Sequence, residues 1–335
     1  MGTITIVSFL SSFILTLILT PPIHRLAIKL QAFKIIKNDT QQQQISYLGG
    51  LALFFAFCIV VLIACVNQGC LNSGFFGIII GSAVIVLLGL IDDFVELSPG
   101  LKFLGQAVAV IALIIFGVTT SIAAVARPFN ILITFLWVFA IINAFNLLDI
   151  MDGLCSGITA IAAAAFLFIS FLSQNMQAAI ISAAVLGASL AFLRYNFPPA
   201  KIYLGDTGSM FLGFVLAVLA INVDYAPQER KIALLTPIVA LGLPIFDTAF
   251  VILMRLIRGR PVTKKSKDHF ALRLLSAGLS KRRTLLLMYL FGLLFSVSAL
   301  VISRVSNQQG LVVLVLIVVI CAAALKKIGA LNVDE

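Results

Sequence analysis

Acids and amides recur at fixed steps in a chain that otherwise avoids polarity. In "NAFNLLDIMDG", residues 143–153, Asn143, Asn146, Asp149 and Asp152 stand three apart, directly after the uncharged run "ILITFLWVFAII". Three further acidic clusters are "GLIDDFVELSPGLKFLGQ" (89–106), "RYNFPPAKIYLGDTGSM" (194–210) and "LPIFDTAF" (243–250). Adjacent carboxylates such as Asp92 and Asp93 suit Mg²⁺, which takes oxygen ligands, keeps several waters and often bridges to a phosphate. One of two such acids can also serve as a general base. "GDTGS" offers backbone N–H groups to a phosphate oxygen, although the same residues also read as an ordinary helix cap. Lys102 and Lys201 supply point charges for phosphates. Together these groups describe metal-assisted phosphoryl transfer. The glycine-rich GxxxxGK[ST] loop of nucleotide-binding proteins is absent.

The elements that must hold these groups are membrane helices. Of 335 residues, 61% are hydrophobic and 11% charged, with a mean hydropathy of +1.16. A soluble domain carries about 45–50% apolar and about 25% charged residues. Hydropathy and turn signals place eleven spans near 3–20, 48–66, 74–91, 101–118, 131–148, 154–172, 177–194, 208–222, 232–254, 285–303 and 310–325. The stretch 117–130 reads either as a loop or as a partial re-entrant segment. No linker divides the chain, so residues 1–335 read as one all-α polytopic bundle. The first span lacks Lys or Arg before its apolar run and reads as retained rather than as a signal peptide.

Placing the N-terminus outside puts nineteen Lys and Arg residues in inside segments and four in outside ones. This positive-inside bias expects a cytoplasmic C-terminus. On that topology all acids except Asp224 and Glu229 lie on the cytoplasmic face. Intramembrane acids are expensive and usually face a cavity or a partner, so their convergence points to one site. The net charge of +10 is explained by this topogenic bias and by anionic lipid, without nucleic acid. The five cysteines show no CxxC or Cys/His cluster, so they read as small hydrophobes.

Steps of three drift by 60° each on an α-helix, so Asp152 cannot share a face with Asn143 and Asn146. Either the helix tightens to 3₁₀ near Asp149, or it ends there and Asp152–Gly153 turns back. The glycine favours the second.

"GLIDDFVELSPGLKFLGQ", "NAFNLLDIMDGL", "NFPPAKIYLGDTGSMFLGF" and "LPIFDTAFVILMRLIRGR" resemble the motifs of the polyprenyl-phosphate N-acetylhexosamine-1-phosphate transferase family, a likeness that runs from Tyr47 to Tyr289. The likeness is nearer to the bacterial enzymes that start O-antigen, enterobacterial common antigen or teichoic acid synthesis than to the peptidoglycan translocase. It implies a bundle of ten or eleven spans in the bacterial inner membrane with a cytoplasmic cleft. It implies transfer of a sugar 1-phosphate, GlcNAc first, from a UDP-sugar to undecaprenyl phosphate, releasing UMP. The attack is either direct or through a phospho-aspartate. Mg²⁺ is the implied cofactor, with Mn²⁺ as a substitute. The partners expected are undecaprenyl phosphate, the UDP-sugar, the lipid bilayer and a second copy as a homodimer. By position, Asp92 and Asp93 match the catalytic acids, and Asn146 and Asp206 the groups around the metal and diphosphate. Asn143, Asp149 and Asp152 match the nucleotide pocket, Lys102 and Asn196 the polar lining of the cleft, and Asp247 a structural acid.

Two stretches depart from the family. Its last cytoplasmic loop commonly carries HxHH, whereas "KDHFALRLLSAGLSKRR" keeps His269 and has Ala271 and Leu272 in place of the others. His269 is carried as a nucleotide-sugar contact, with Asp268 and Arg273 as replacements for the lost ones; a loop histidine with no special task is the plain alternative. In "NDTQQQQISYLGG", four glutamines replace a basic run, which reads as a weaker hold on the lipid phosphate or as a plain polar loop, and Gly49–Gly50 reads as a place of close backbone approach. Three rivals remain: a transporter with an acidic relay, an inactive polyprenyl-phosphate-binding relative, and a CDP-alcohol phosphotransferase. Acids gathered at one face, the retained Asp92, Asp93, Asn146 and Asp206, and the missing DGxxAR…GxxxDxxxD pattern weigh against them in turn.

Overall fold

The computed structural model describes residues 1–38, 41–223, 225, 230–259, 261 and 268–331. Asp224, Glu229 and the basic stretch 262–267 lie outside the described residues. The chain separates into two compact units, Met1–Asp224 and Tyr225–Glu335.

The first unit holds α1 (Gly2–Lys29), a hairpin of β1 (Phe33–Asn38) and β2 (Gln41–Ser46), then α2 (Gly49–Gln68), α3 (Ser73–Val95) and α4 (Pro99–Ile115). It continues with α5 (Arg127–Leu148), α6 (Leu154–Leu172), α7 (Met176–Asn196) and α8 (Gly205–Asn222). The hairpin is an addition to the all-helical expectation: its antiparallel register runs from Phe33↔Ser46 to Asn38↔Gln41, and the four-glutamine run forms most of β2.

Helix α8 is the axis of this unit, with every residue from Thr207 to Ala220 buried. It packs against α2, α3, α5, α6 and α7, and Trp137 on α5 donates its indole N–H to Ala217 O at 3.1 Å. Close packing elsewhere uses small residues, as expected where lipid supplies no hydrophobic drive between helices. Thr5, Ser8, Ser12, Thr16 and Thr20 line the buried face of α1. Ser12 donates to Ala184 O of α7 at 2.7 Å, and a Cβ on Gly187 would lie 2.3 Å from Phe9 O.

The eight helices alternate between two ends. At one end the close of α1 and the start of α2 are tied to the α7–α8 loop, through Tyr47 N to Ala32 O, Tyr203 N to Ser46 O and Gly49 N to Tyr203 O. At the other end Asn130 and Thr134 bind the 116–126 loop through Thr120 and Ile122. Of the stretch 117–130, the residues up to Ala126 are therefore a loop pinned to the start of α5, and Arg127 to Asn130 form the first turn of that helix.

The second unit holds a 3₁₀ turn (Lys231–Leu235), α9 (Thr236–Ala240), α10 (Gly242–Ile257), α11 (Phe270–Ser276), α12 (Lys281–Ile302) and α13 (Asn307–Gly329). The segment expected as one span near 232–254 is broken, with a bend of 73° between Lys231–Ala240 and Gly242–Ile257. Pro244 explains the break: it lacks an N–H for the Ala240 carbonyl and its ring would clash there. Each of the other ten expected spans falls on a helix. Among the described residues nine helices are long and apolar enough to cross a membrane, or ten with the bent pair. The remaining one, α4, has 17 residues.

Candidate active site

Four elements deliver polar groups to the loop-tied end of the first unit. Helix α3 brings Asp92 and Asp93 in its last turn, and Ser98 with Pro99 starts α4 at once, a cap-and-proline helix start. That short turn is held by Asp92, whose Oδ1 accepts from Leu97 N at 2.7 Å. Lys102, one turn into α4, pairs with Asp92 Oδ2 and reaches Asp206 Oδ2 at 2.8 Å. Asp206 Oδ1 accepts from the Asn146 amide at 2.9 Å, and the same amide lies 3.1 Å from Ser209 Oγ. Asp92, Lys102, Asp206 and Asn146 thus form one connected chain of charge and hydrogen bonds across α3, α4, α8 and α5.

Exposure separates their roles. The Asp92 side chain is 3% exposed, against 25% for Lys102 and 34% for Asp206. Asp92 therefore holds the ammonium from the buried side, and Lys102 and Asp206 are the accessible members of the cluster.

Asp93 is engaged differently. Its Oδ1 accepts from Asp206 N at 2.8 Å, and its Oδ2 from Thr207 N at 3.1 Å and Thr207 Oγ1 at 2.6 Å. The expectation that the "GDTGS" amides meet a phosphate is corrected at these two positions: Asp93 already occupies them. Gly205 makes the approach possible, with φ of +72° and with a Cβ placed 2.1 Å from Tyr47 O had it one.

Asn143 and Asn146 share the inner side of α5, but they do different work. Asn143 forms a reciprocal amide pair with Gln106 of α4, at 2.7 and 3.3 Å, and also donates to Phe139 O. Gln106, buried beside Met210, was not foreseen in the sequence; only its place one turn after Lys102 hinted at it. Helix α5 ends at Leu148, as the glycine suggested, and Gly153 takes φ of +75° at the start of α6 rather than closing α5.

Asp149 and Asp152 lie in that turn with Tyr203 close by. Burial, and then the charges of Asp152 and Asp149, hold the Tyr203 phenol above its usual range. It stays a neutral hydrogen-bond donor at ordinary pH. Asp152 Oδ2 also accepts from Ala200 N at 3.2 Å. Asn196 is buried, with its Oδ1 accepting from Gly153 N and Ser156 Oγ and its amide donating to Ile202 O. It ties the start of α6 to the α7–α8 loop.

In the second unit Asp247 and His269 form a buried pair, 1% and 3% exposed, with Nδ1 to Oδ2 at 2.8 Å. Asp247 Oδ1 accepts from Phe270 N at 2.8 Å. Asp268 and Arg273 do not stand free to replace lost histidines. Arg273 is fully buried, binds Asp268 Oδ1 at 2.6 Å and donates to the carbonyls of Ile328, Gly329 and Leu331 at the end of α13.

The comparisons with known proteins identify the family. The glycosyl transferase family 4 model matches residues 75–224, the span that contains Asp92, Lys102, Asn146 and Asp206. The chain is 32% identical to a probable undecaprenyl-phosphate N-acetylglucosaminyl 1-phosphate transferase of Bacillus subtilis, over 98% of this chain and 93% of that one. It is 31% identical to a decaprenyl-phosphate N-acetylglucosaminephosphotransferase of Mycobacterium tuberculosis, over 84% of this chain and 78% of that one. A phospho-N-acetylmuramoyl-pentapeptide-transferase of Halalkalibacterium halodurans is 28% identical over 89% of this chain and 97% of its own. With such identity along nearly its whole length, the chain belongs to glycosyl transferase family 4.

Proposed function

We propose that this protein transfers a sugar 1-phosphate from a UDP-sugar to undecaprenyl phosphate at the cytoplasmic face of a bacterial inner membrane, releasing UMP. N-acetylglucosamine 1-phosphate is the first candidate, on the names of the relatives. A lipid phosphate oxygen attacks the phosphorus bonded to the sugar. The bond to the bridging oxygen breaks, and UMP leaves with that electron pair. The observation that carries the reading is the Asp92–Lys102–Asp206–Asn146 chain, set where the first unit's helix ends converge.

Both substrates are anions, so their meeting requires positive charge already in place. Lys102 supplies it at the exposed edge of the cluster, and buried Asp92 fixes where that ammonium sits. Asn146 holds the Asp206 carboxylate in one orientation.

The donor set also fits Mg²⁺. Its members are oxygen donors beside a position where two carboxylates already hold a cation, the Lys102 ammonium. Among the described residues no three His, Cys, Asp or Glu side chains gather as a metal cage. Mg²⁺ commonly binds through one or two carboxylates plus substrate phosphate, so none is needed. Asp206 and Asn146, backed by Asp92, would hold it, and when bound it would supply charge neutralisation at the diphosphate.

The test is UMP release from membranes supplied with undecaprenyl phosphate, Mg²⁺ and a panel of UDP-sugars. Release from one sugar, abolished in Asp206→Asn, identifies the donor. Equal signals from wild type and Asp206→Asn on every sugar would reject the transferase.

A further inference from the structure

We propose that Asp93 is a positioning residue: it caps the first turn of α8 from α3 and so fixes the backbone that carries Asp206, instead of taking a proton from substrate. The proposal rests on the transferase reading of the same cluster.

The start of α8 has no cap of its own. Its N-cap is Leu204, which has no side-chain acceptor for the first N–H groups. Those groups are orphan donors carrying the positive end of the helix dipole, and a carboxylate is their best partner. Asp93 provides it across 113 residues of sequence, taking two consecutive amides and the Thr207 hydroxyl.

Close packing makes this contact specific. A Cβ on Gly89 of α3 would lie 2.5 Å from Thr207 Cα, and one on Gly50 of α2 would lie 2.3 Å from Gly208 N. The first turn of α8 therefore rests directly on two neighbouring helices, with Gly50 N bound to Leu204 O at 2.9 Å as a further tie. The same turn carries Asp206, whose carboxylate must meet Lys102 and Asn146 at once. A general base needs a lone pair within reach of the proton it takes. Three of the roughly four acceptor positions of Asp93 are instead filled by protein donors, which hold its carboxylate in one orientation on α8. Its effect on reaction thus passes through Asp206.

Two measurements test this on full-length protein in nanodiscs. The first is hydrogen–deuterium exchange at the Asp206 and Thr207 amides in wild type, Asp93→Asn and Thr207→Val. Faster exchange in Asp93→Asn is expected, with a smaller rise in Thr207→Val.

The second is the pH dependence of kcat for UMP release. Misplaced catalytic groups typically lose about tenfold to a hundredfold, so Asp93→Asn is expected to lower kcat by roughly that factor while keeping the acid-side pH profile of wild type. Thr207→Ser, which retains the hydroxyl, is expected to recover most of the Thr207→Val loss. An Asp93→Asn enzyme that loses the acid-side limb while its amides stay protected would overturn the proposal. If Asp93→Asn fails to fold, the Thr207 pair decides: equal kcat in Thr207→Val and wild type overturns it. If wild type itself releases no UMP, the transferase reading falls, and the exchange data still decide whether Asp93 caps α8.

Discussion

A lysine wedged between two carboxylates is the clearest statement that single residues make here. Lys102 is partly exposed while its partner Asp92 is buried, so removing either leaves the other compromised, in different ways. Lys102→Ala strips the cluster of its own positive charge and leaves Asp92 buried beside Asp206. Loss of a preorganised charge of this kind typically lowers kcat by about 10²–10³-fold, and UMP release under saturating substrates reads it. Asp92→Asn keeps the lysine but frees its direction, so the expected loss in kcat is smaller and that in Lys102→Ala larger. The reverse order would put Asp92 itself at the reacting atoms. In the second unit the Asp247–His269 pair calls for a stability readout first. Truncating one partner of a buried hydrogen-bonded pair leaves the other unsatisfied and costs about 1–3 kcal/mol. His269→Ala is therefore expected to lower Tm by several degrees. A Tm equal to wild type, with a raised KM for the UDP-sugar, would instead make His269 a substrate contact.

Elements place these residues, and glycines decide whether the elements can meet. Gly205 combines a positive φ with a Cβ position 2.1 Å from Tyr47 O. Gly205→Ala must therefore strain the backbone and push α8 off the loop before α2. Such strain costs of order 1–3 kcal/mol, and a lowered Tm with reduced activity is the expected pair of readings. Wild-type values for both would show that the α7–α8 loop relaxes freely. The same junction shows what could be read from the sequence. Apolar runs located the helices of ten of the eleven expected spans, because hydropathy is a local property. The end of α5 at Leu148 was also legible, since a step of three cannot keep Asp152 on the face of Asn146. Two features were not local: Asp93 and Thr207 are far apart in sequence, and Gln106 and Asn143 find each other only when α4 lies on α5. The break before Gly242 did have a local signal, Pro244, within a mostly apolar run. A motif reading gave Asp92 and Asp93 one joint role; their hydrogen bonds point them at different partners.

For the molecule as a whole, the number of crossings fixes which side each end faces. Within the first unit, Asp92, Lys102, Asn146 and Asp206 lie at helix ends that meet, so α4 must leave that end and α5 return to it. The two helices touch near the site through Gln106 and Asn143, and at the far end the loop that joins them is tied to α5 through Thr120 and Asn130. Helix α4 is about 25 Å long at 1.5 Å per residue, slightly short of a hydrocarbon core of about 30 Å, and the loop after it completes the traverse. Its 17 residues therefore count as a span. The site end of this unit carries Arg25, Lys29, Lys102, Arg194 and Lys201, whereas Arg127 begins α5 at the far end. Positive residues favour the cytoplasm, so the proposed orientation has the site there and residue 1 outside. If residue 1 is outside and all eight helices before residue 222 cross, the C-terminus is cytoplasmic only if the bent pair around Leu241 crosses once, followed by α12 and α13. A fluorescent protein fused after Glu335 is expected to mature, and alkaline phosphatase inserted in the 116–126 loop is expected to be active outside. An active phosphatase at the C-terminus, with the 116–126 result unchanged, would make the bent pair a re-entrant segment. It would leave the site and its sidedness as they stand and reduce the crossings to ten.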